Sequence, residues 1–127
     1  MILEHIALYV EDPEKMRDFY IHFFDATPNK KYHNPRTGLQ TYFLSFEGGA
    51  RLEIMQRPAM SPRASGKYPL GYAHISFKLG SIEKVDQLTR ELQESGHPLL
   101  NGPRMTGDGY YESVFSDPEG NLIELVA

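Results

Sequence analysis

The chain reads as an α+β fold in which one β-α-β-β-β unit is written twice, and three observations carry that reading. The first is periodicity: strand-like alternation and helical spacing follow one another in the same order in both halves. The second is short matching segments. Glu4-His5-Ile6-Ala7 parallels Ala73-His74-Ile75-Ser76, and Gly49-Ala50-Arg51-Leu52-Glu53-Ile54 parallels Gly120-Asn121-Leu122-Ile123-Glu124-Leu125. The third is the placement of chemistry-bearing residues. His5 and His74 are 69 residues apart, Glu53 and Glu124 are 71 apart, and each lies within an apolar strand pattern.

The elements follow in chain order. Residues 2–10 alternate, with Ile6, Leu8 and Val10 on one face and His5, Ala7 and Tyr9 on the other. Asp12-Pro13 is a helix start, since Asp caps free backbone N–H groups and Pro suits the first turn. Met16, Phe19, Tyr20, Phe23 and Phe24 then mark the buried face of a helix over 13–25. Thr27 to Gly38 reads as a loop holding a poorly marked second strand near Lys31 to His33. Leu39–Phe46 and Ala50–Gln56 form a hairpin about Glu47-Gly48-Gly49.

Prolines and glycines then cluster in a linker over 58–71, between module 1–57 and module 72–127 of a single domain. The second half repeats the order. Ala73–Leu79 is a strand. Ser81 caps a helix whose buried stripe is Ile82, Val85, Leu88 and Leu92, and Gly96 ends it. Leu99 and Leu100 start a short strand, and Gly102 to Gly109 reads as a loop. Tyr110–Ser116 and Leu122–Val126 are strands joined by the turn Asp117-Pro118-Glu119-Gly120-Asn121. Each copy alone is too small to close a good core, which favours pairing the two.

Bulk properties narrow the function. At 127 residues the chain is one domain with an ordinary apolar fraction of 40%. A net charge of −4 argues against nucleic acid or an anionic membrane surface as partner. The absence of cysteine excludes disulfides, thiolate metal sites and cysteine nucleophiles, and suits a reducing cytoplasm. No apolar run approaches the roughly 18 residues of a membrane span, and the early strand leaves no room for a signal peptide.

Strand parity places His5, Glu53, His74 and Glu124 on the face opposite the helix-packing residues. A lone strand His is ordinarily a hydrogen-bonded filler, and a lone Glu a solvated side chain. The same pair in both halves is harder to explain that way. A carboxylate in a sheet concavity is costly unless it is paired or bound to a cation. Two imidazoles and two carboxylates can hold one divalent ion, and Ni, Zn, Co and Mn all accept this ligand set.

At these residues the chain resembles the vicinal-oxygen-chelate superfamily, which includes glyoxalase I, bleomycin-resistance proteins and extradiol dioxygenases. The resemblance rests on residues 3–10, the helix with Asp18-Phe19-Tyr20, Arg51-Leu52-Glu53-Ile54, Gly71 to Phe77, and Asp117 to Leu125. It implies paired modules forming an eight-stranded open cup with helices outside, in a homodimer. It is compatible with a site built within one chain or across a dimer. Glyoxalase I-like (lactoylglutathione lyase-like) members hold metal with His, Glu, His and Glu, matching His5, Glu53, His74 and Glu124. Members that use glutathione carry an Arg where this chain has Tyr9, and the 103–109 loop also departs from their pattern. Both differences count against glutathione as the thiol.

The resemblance thus implies a metal-dependent lyase or isomerase acting on a small molecule with adjacent oxygens, such as a hemithioacetal of methylglyoxal. Glu124 would be the base, with Glu53 the second candidate. Tyr9, Arg104 and Tyr110 are candidate substrate contacts. The alternatives are a drug- or metabolite-sequestering resistance protein of the bleomycin or fosfomycin type, and a metal-dependent dioxygenase.

Overall fold

The computed structural model describes residues 1–63, 65–66 and 68–127. Ala64 and Lys67, within the expected linker, lie outside the described residues. The chain divides into two compact units, Met1–Arg63 and Ala64–Ala127. Among the described residues, no helix is long and apolar enough to cross a membrane.

In the first unit the order is β1 (His5–Tyr9), α1 (Pro13–Phe24), β2 (Thr27–Pro28), β3 (Tyr32–His33), β4 (Gln40–Ser45) and β5 (Arg51–Gln56). The sheet runs β1-β5-β4-β2, and β3 also pairs with β4. β1 lies parallel to β5, and every other pairing is antiparallel. The helix begins where the sequence predicts: the Asp12 side chain accepts the Lys15 N–H at 2.9 Å, with Pro13 next. Met16 and Tyr20 on the helix, Val10 after β1, Leu44 on β4, and Leu52 and Ile54 on β5 are among the buried apolar residues of this unit.

The second unit repeats the order with β6 (His74–Lys78), α2 (Ile82–Glu94), β7 (Asn101–Met105), β8 (Tyr111–Ser116) and β9 (Leu122–Val126). Its sheet runs β6-β9-β8-β7, again with one parallel pair, β6 and β9. Val85, Leu92, Phe115, Ile123 and Leu125 are fully buried. The α+β class and the duplicated order are therefore as the sequence predicts.

Three details differ. The expected second strand is two short pieces, so the described residues hold nine strands, against the eight that the family resemblance implies. Asn29 accounts for the break: its N–H donates to the Phe43 carbonyl at 3.0 Å, and its side-chain oxygen accepts the Phe43 N–H at 2.8 Å. A side chain thus replaces a ladder partner.

The short strand expected from Leu99 and Leu100 instead runs over 101–105, into what reads as a loop from Gly102, and it forms a sheet edge. A register shift between Asn101 and Arg104 absorbs the irregularity. Pro103 is tolerated because an edge strand leaves N–H positions unpaired. Finally, Ile82 is exposed, and Thr89 is buried between Val85 and Leu92 instead. Burial of Thr89 is tolerable because its hydroxyl meets that of Ser113 at 2.7 Å.

Candidate metal centre

In the first unit, parallel pairing sets His5 opposite Arg51 and Ala7 opposite Glu53. His5 and Glu53 are therefore diagonal neighbours on one face, while Leu52 and Ile54 point into the core. His5 Nε2 lies 3.8 Å from Glu53 Oε2, and the Glu53 side chain keeps only 16% of its exposure. On the other side of the ring, His5 Nδ1 bonds the Glu4 carboxylate, which also accepts from Arg51. These bonds, first from His5 and then from Arg51, hold the Glu4 carboxyl below the usual range. Phe43 closes the group: the His5 ring meets it edge-on at 5.3 Å, and the Arg51 guanidinium lies over it at 4.3 Å.

The second unit uses the same register, with His74 opposite Leu122 and Ser76 opposite Glu124. His74 Nε2 is 3.3 Å from Glu124 Oε2, and the Glu124 side chain is 20% exposed. A further carboxylate stands beside this pair. Glu112 on β8 is diagonal to Glu124 across the β8–β9 hairpin, with its side chain 11% exposed. Burial first, then the charge of Glu124, pushes the Glu112 carboxyl above its usual range. The positive charge of Arg104, which donates to Glu112 Oε1 at 3.1 Å, opposes that shift.

Of the candidate substrate contacts, Arg104 is thus an ion-pair partner of Glu112. Tyr9 is exposed on the His5 face of β1. Tyr110 is exposed just before β8, whereas the Tyr111 hydroxyl donates to Asp86 on α2 at 2.7 Å. The two adjacent tyrosines therefore differ in surroundings, one exposed and one tied to α2. Asp117 makes the expected turn, accepting the N–H groups of Glu119 at 3.0 Å and Asn121 at 2.9 Å.

Glu112 and Glu4 are the residues that sequence reasoning missed. The signal for Glu112 was present: pairing back from the Asp117 turn sets it on the Glu124 face. Glu4 gave no such signal. Strand parity assigns it to the opposite face from His5, but the strand begins only at His5, so parity does not reach it. Among the described residues, no three His, Asp or Glu side chains form a group that could hold an ion. What each unit supplies is an imidazole facing a carboxylate.

A sequence family model, "Glyoxalase/Bleomycin resistance protein/Dioxygenase superfamily", matches residues 2–125. The chain belongs to this superfamily. It is 32% identical to the Bacillus subtilis (strain 168) "uncharacterized protein YqjT" over 130 residues, covering 98% of each chain. Its fold is similar to that of the trypanothione-dependent glyoxalase I of Leishmania major. There the TM-score is 0.78 at 20% identity, over 99% of this chain and 86% of that one. It is also similar to a mutant of the fosfomycin resistance protein FosX from Listeria monocytogenes, complexed with Mn(II) and 1S,2S-dihydroxypropylphosphonic acid. That match has a TM-score of 0.76 at 25% identity, over 100% of this chain and 94% of that one.

Members of the glyoxalase/bleomycin resistance/dioxygenase superfamily generally use a divalent metal, and the donor pairs are suited to one. Two donor atoms each about 2.1 Å from a shared ion lie roughly 3.0–3.4 Å apart, for angles between octahedral and tetrahedral. The His74–Glu124 separation falls within that range, and the His5–Glu53 separation slightly beyond it.

Proposed function

We propose that this superfamily member is a metal-dependent lyase or isomerase of the glyoxalase I type, with His5, Glu53, His74 and Glu124 as the ligands of one divalent ion. The observation that carries the proposal is the repeated register: each unit turns a histidine Nε2 towards a carboxylate two positions along the parallel neighbour strand. Both copies of the duplicated unit keep the imidazole and the carboxylate at the same register, which supports a shared purpose for the two pairs. The substrate is a small molecule with adjacent oxygens, such as a hemithioacetal of methylglyoxal. The assembly is a homodimer in the cytoplasm.

When bound, a divalent ion supplies Lewis-acid polarisation to the oxygen pair. The remaining chemistry falls to side chains. Glu124, largely shielded from water, accepts the proton from the carbon beside the carbonyl and returns it to the neighbouring carbon. Glu53 is the second candidate for that role. Arg104 holds Glu112 against the pair, which keeps the carboxylates of this face in fixed positions. Tyr9 and Tyr110, both exposed, offer hydroxyls to the substrate.

Elemental analysis of the purified protein should find one divalent ion per His/Glu/His/Glu set. Methylglyoxal hemithioacetals of several thiols should then be isomerised. Glu124→Gln should lower turnover about 10²–10⁴-fold, the usual worth of a positioned base. A metal-free protein that nevertheless binds a drug tightly would overturn the enzyme reading. The likeness to FosX favours a second reading, a resistance protein acting on a small phosphonate. Fosfomycin consumption without hemithioacetal turnover would select it.

A further inference from the structure

The two histidines of the proposed centre are not held alike. His74 follows Ala73, which has no side-chain acceptor. His5 follows Glu4, and its Nδ1 bonds that carboxylate. Glu4 is itself fixed twice by Arg51. The Arg51 guanidinium donates to the Glu4 carboxylate, and the Arg51 N–H donates to the Glu4 carbonyl at 3.0 Å. Arg51 in turn lies over the Phe43 ring, at 4.3 Å, against which His5 rests its edge. Glu4, Arg51, Phe43 and His5 therefore form one closed group around the imidazole.

We infer that Glu4 is a positioning residue that fixes His5 as an Nε2 donor. An ionised carboxylate only accepts hydrogen bonds, so Nδ1 must carry the ring proton. The lone pair then sits on Nε2, the atom facing Glu53. A carboxylate behind a ligating imidazole also fixes its rotation and raises its basicity, and losing such a partner typically costs about 10- to 100-fold in metal affinity. The group does little else that would explain it. Glu4 keeps 58% of its side-chain exposure, and exposed ion pairs contribute little to stability. The metal part of this inference rests on the ligand set proposed above, whereas the tautomer part does not.

Long-range ¹H–¹⁵N correlation spectra of the metal-free protein, recorded at a pH of about 8.5, test it directly. The wild type should show His5 as the Nδ1–H tautomer. Glu4→Ala should move His5 towards the Nε2–H form and leave His74 unchanged, with no change in melting temperature. Glu4→Gln, whose amide oxygen still accepts, should restore the tautomer. Titration with Ni(II) or Mn(II) should show affinity reduced about 10- to 100-fold in Glu4→Ala and largely recovered in Glu4→Gln. A His5 tautomer indifferent to Glu4→Ala overturns the role of Glu4. A Glu4-dependent tautomer in a protein that binds neither metal overturns the metal reading instead, and leaves the hydrogen bond to His5 standing.

Discussion

His5 and His74 show how much a single residue's environment adds to its identity. Both were legible as ligand candidates, because each lies on the polar side of a strand in a repeated segment. Only the contacts distinguish a histidine braced by Glu4 from one that is not. Glu112 makes the same point for carboxylates. Its native form holds its proton above the usual carboxylate value of 4.5, so the folded state binds more proton than the unfolded chain as pH rises past that value. Its ionisation therefore opposes folding, and the metal-free protein should lose stability as pH climbs from the ordinary carboxylate range towards the raised native value. Glu112→Gln keeps an acceptor for Arg104 and removes the charge. The variant should melt higher than wild type at neutral pH, and the difference should vanish below about pH 4. Melting curves across that range decide the matter, and equal curves at all pH values would show that Glu112 is not strained.

Within the elements, two positions put a measurable constraint on the second sheet. Thr89 on α2 and Ser113 on β8 exchange the buried hydrogen bond that replaces an apolar seam. Ser113→Ala strands the Thr89 hydroxyl and should cost about 1–3 kcal/mol in denaturant unfolding. Adding Thr89→Val should recover much of that loss, since an apolar pair leaves nothing unsatisfied. Gly102 on β7 has φ +82, and a Cβ there would stand 2.5 Å from the Glu112 carbonyl oxygen. Gly102→Ala should therefore destabilise by about 1–3 kcal/mol, the usual cost of a side chain forced into such a conformation. Because the clash falls on the Glu112 backbone, the variant should also disturb the spectrum of the Arg104–Glu112 pair. Sequence reasoning found the helices, the hairpins and their caps, since capping residues and alternation act locally. It expected a short strand from Leu99 and Leu100 but read Gly102 onward as a loop, because glycine and proline signal one, and only pairing with β8 shows that a bulged edge strand accommodates them.

For the whole molecule, the proposed centre predicts that metal and stability are linked. A divalent ion at a hundredfold excess over its dissociation constant should stabilise the protein by about 2.7 kcal/mol, read as a rise in melting temperature. Chelator should reverse the rise. His5→Ala and His74→Ala, one in each unit, should each abolish most of it if both pairs serve one ion. Retention of the full shift in either variant would mean that one pair binds alone. Each unit also carries its own buried apolar cluster, around Ile54 in the first and Leu125 in the second. Ile54→Ala or Leu125→Ala should cost about 2–5 kcal/mol, the range for emptying a packed site.

By itself the amino-acid sequence determined the fold class, the duplication and the side of each sheet on which the four candidate ligands stand, because periodicity and parity are properties of neighbouring residues. Tertiary structure decided what those residues touch. The two-residue diagonal between His5 and Glu53, repeated between His74 and Glu124, is set by the register of strands joined through long connections. Glu4 behind His5 and Glu112 beside Glu124 likewise depend on where a strand begins and which residue lies across the ladder. No local pattern in the chain encodes that geometry, which is where the chemistry is decided.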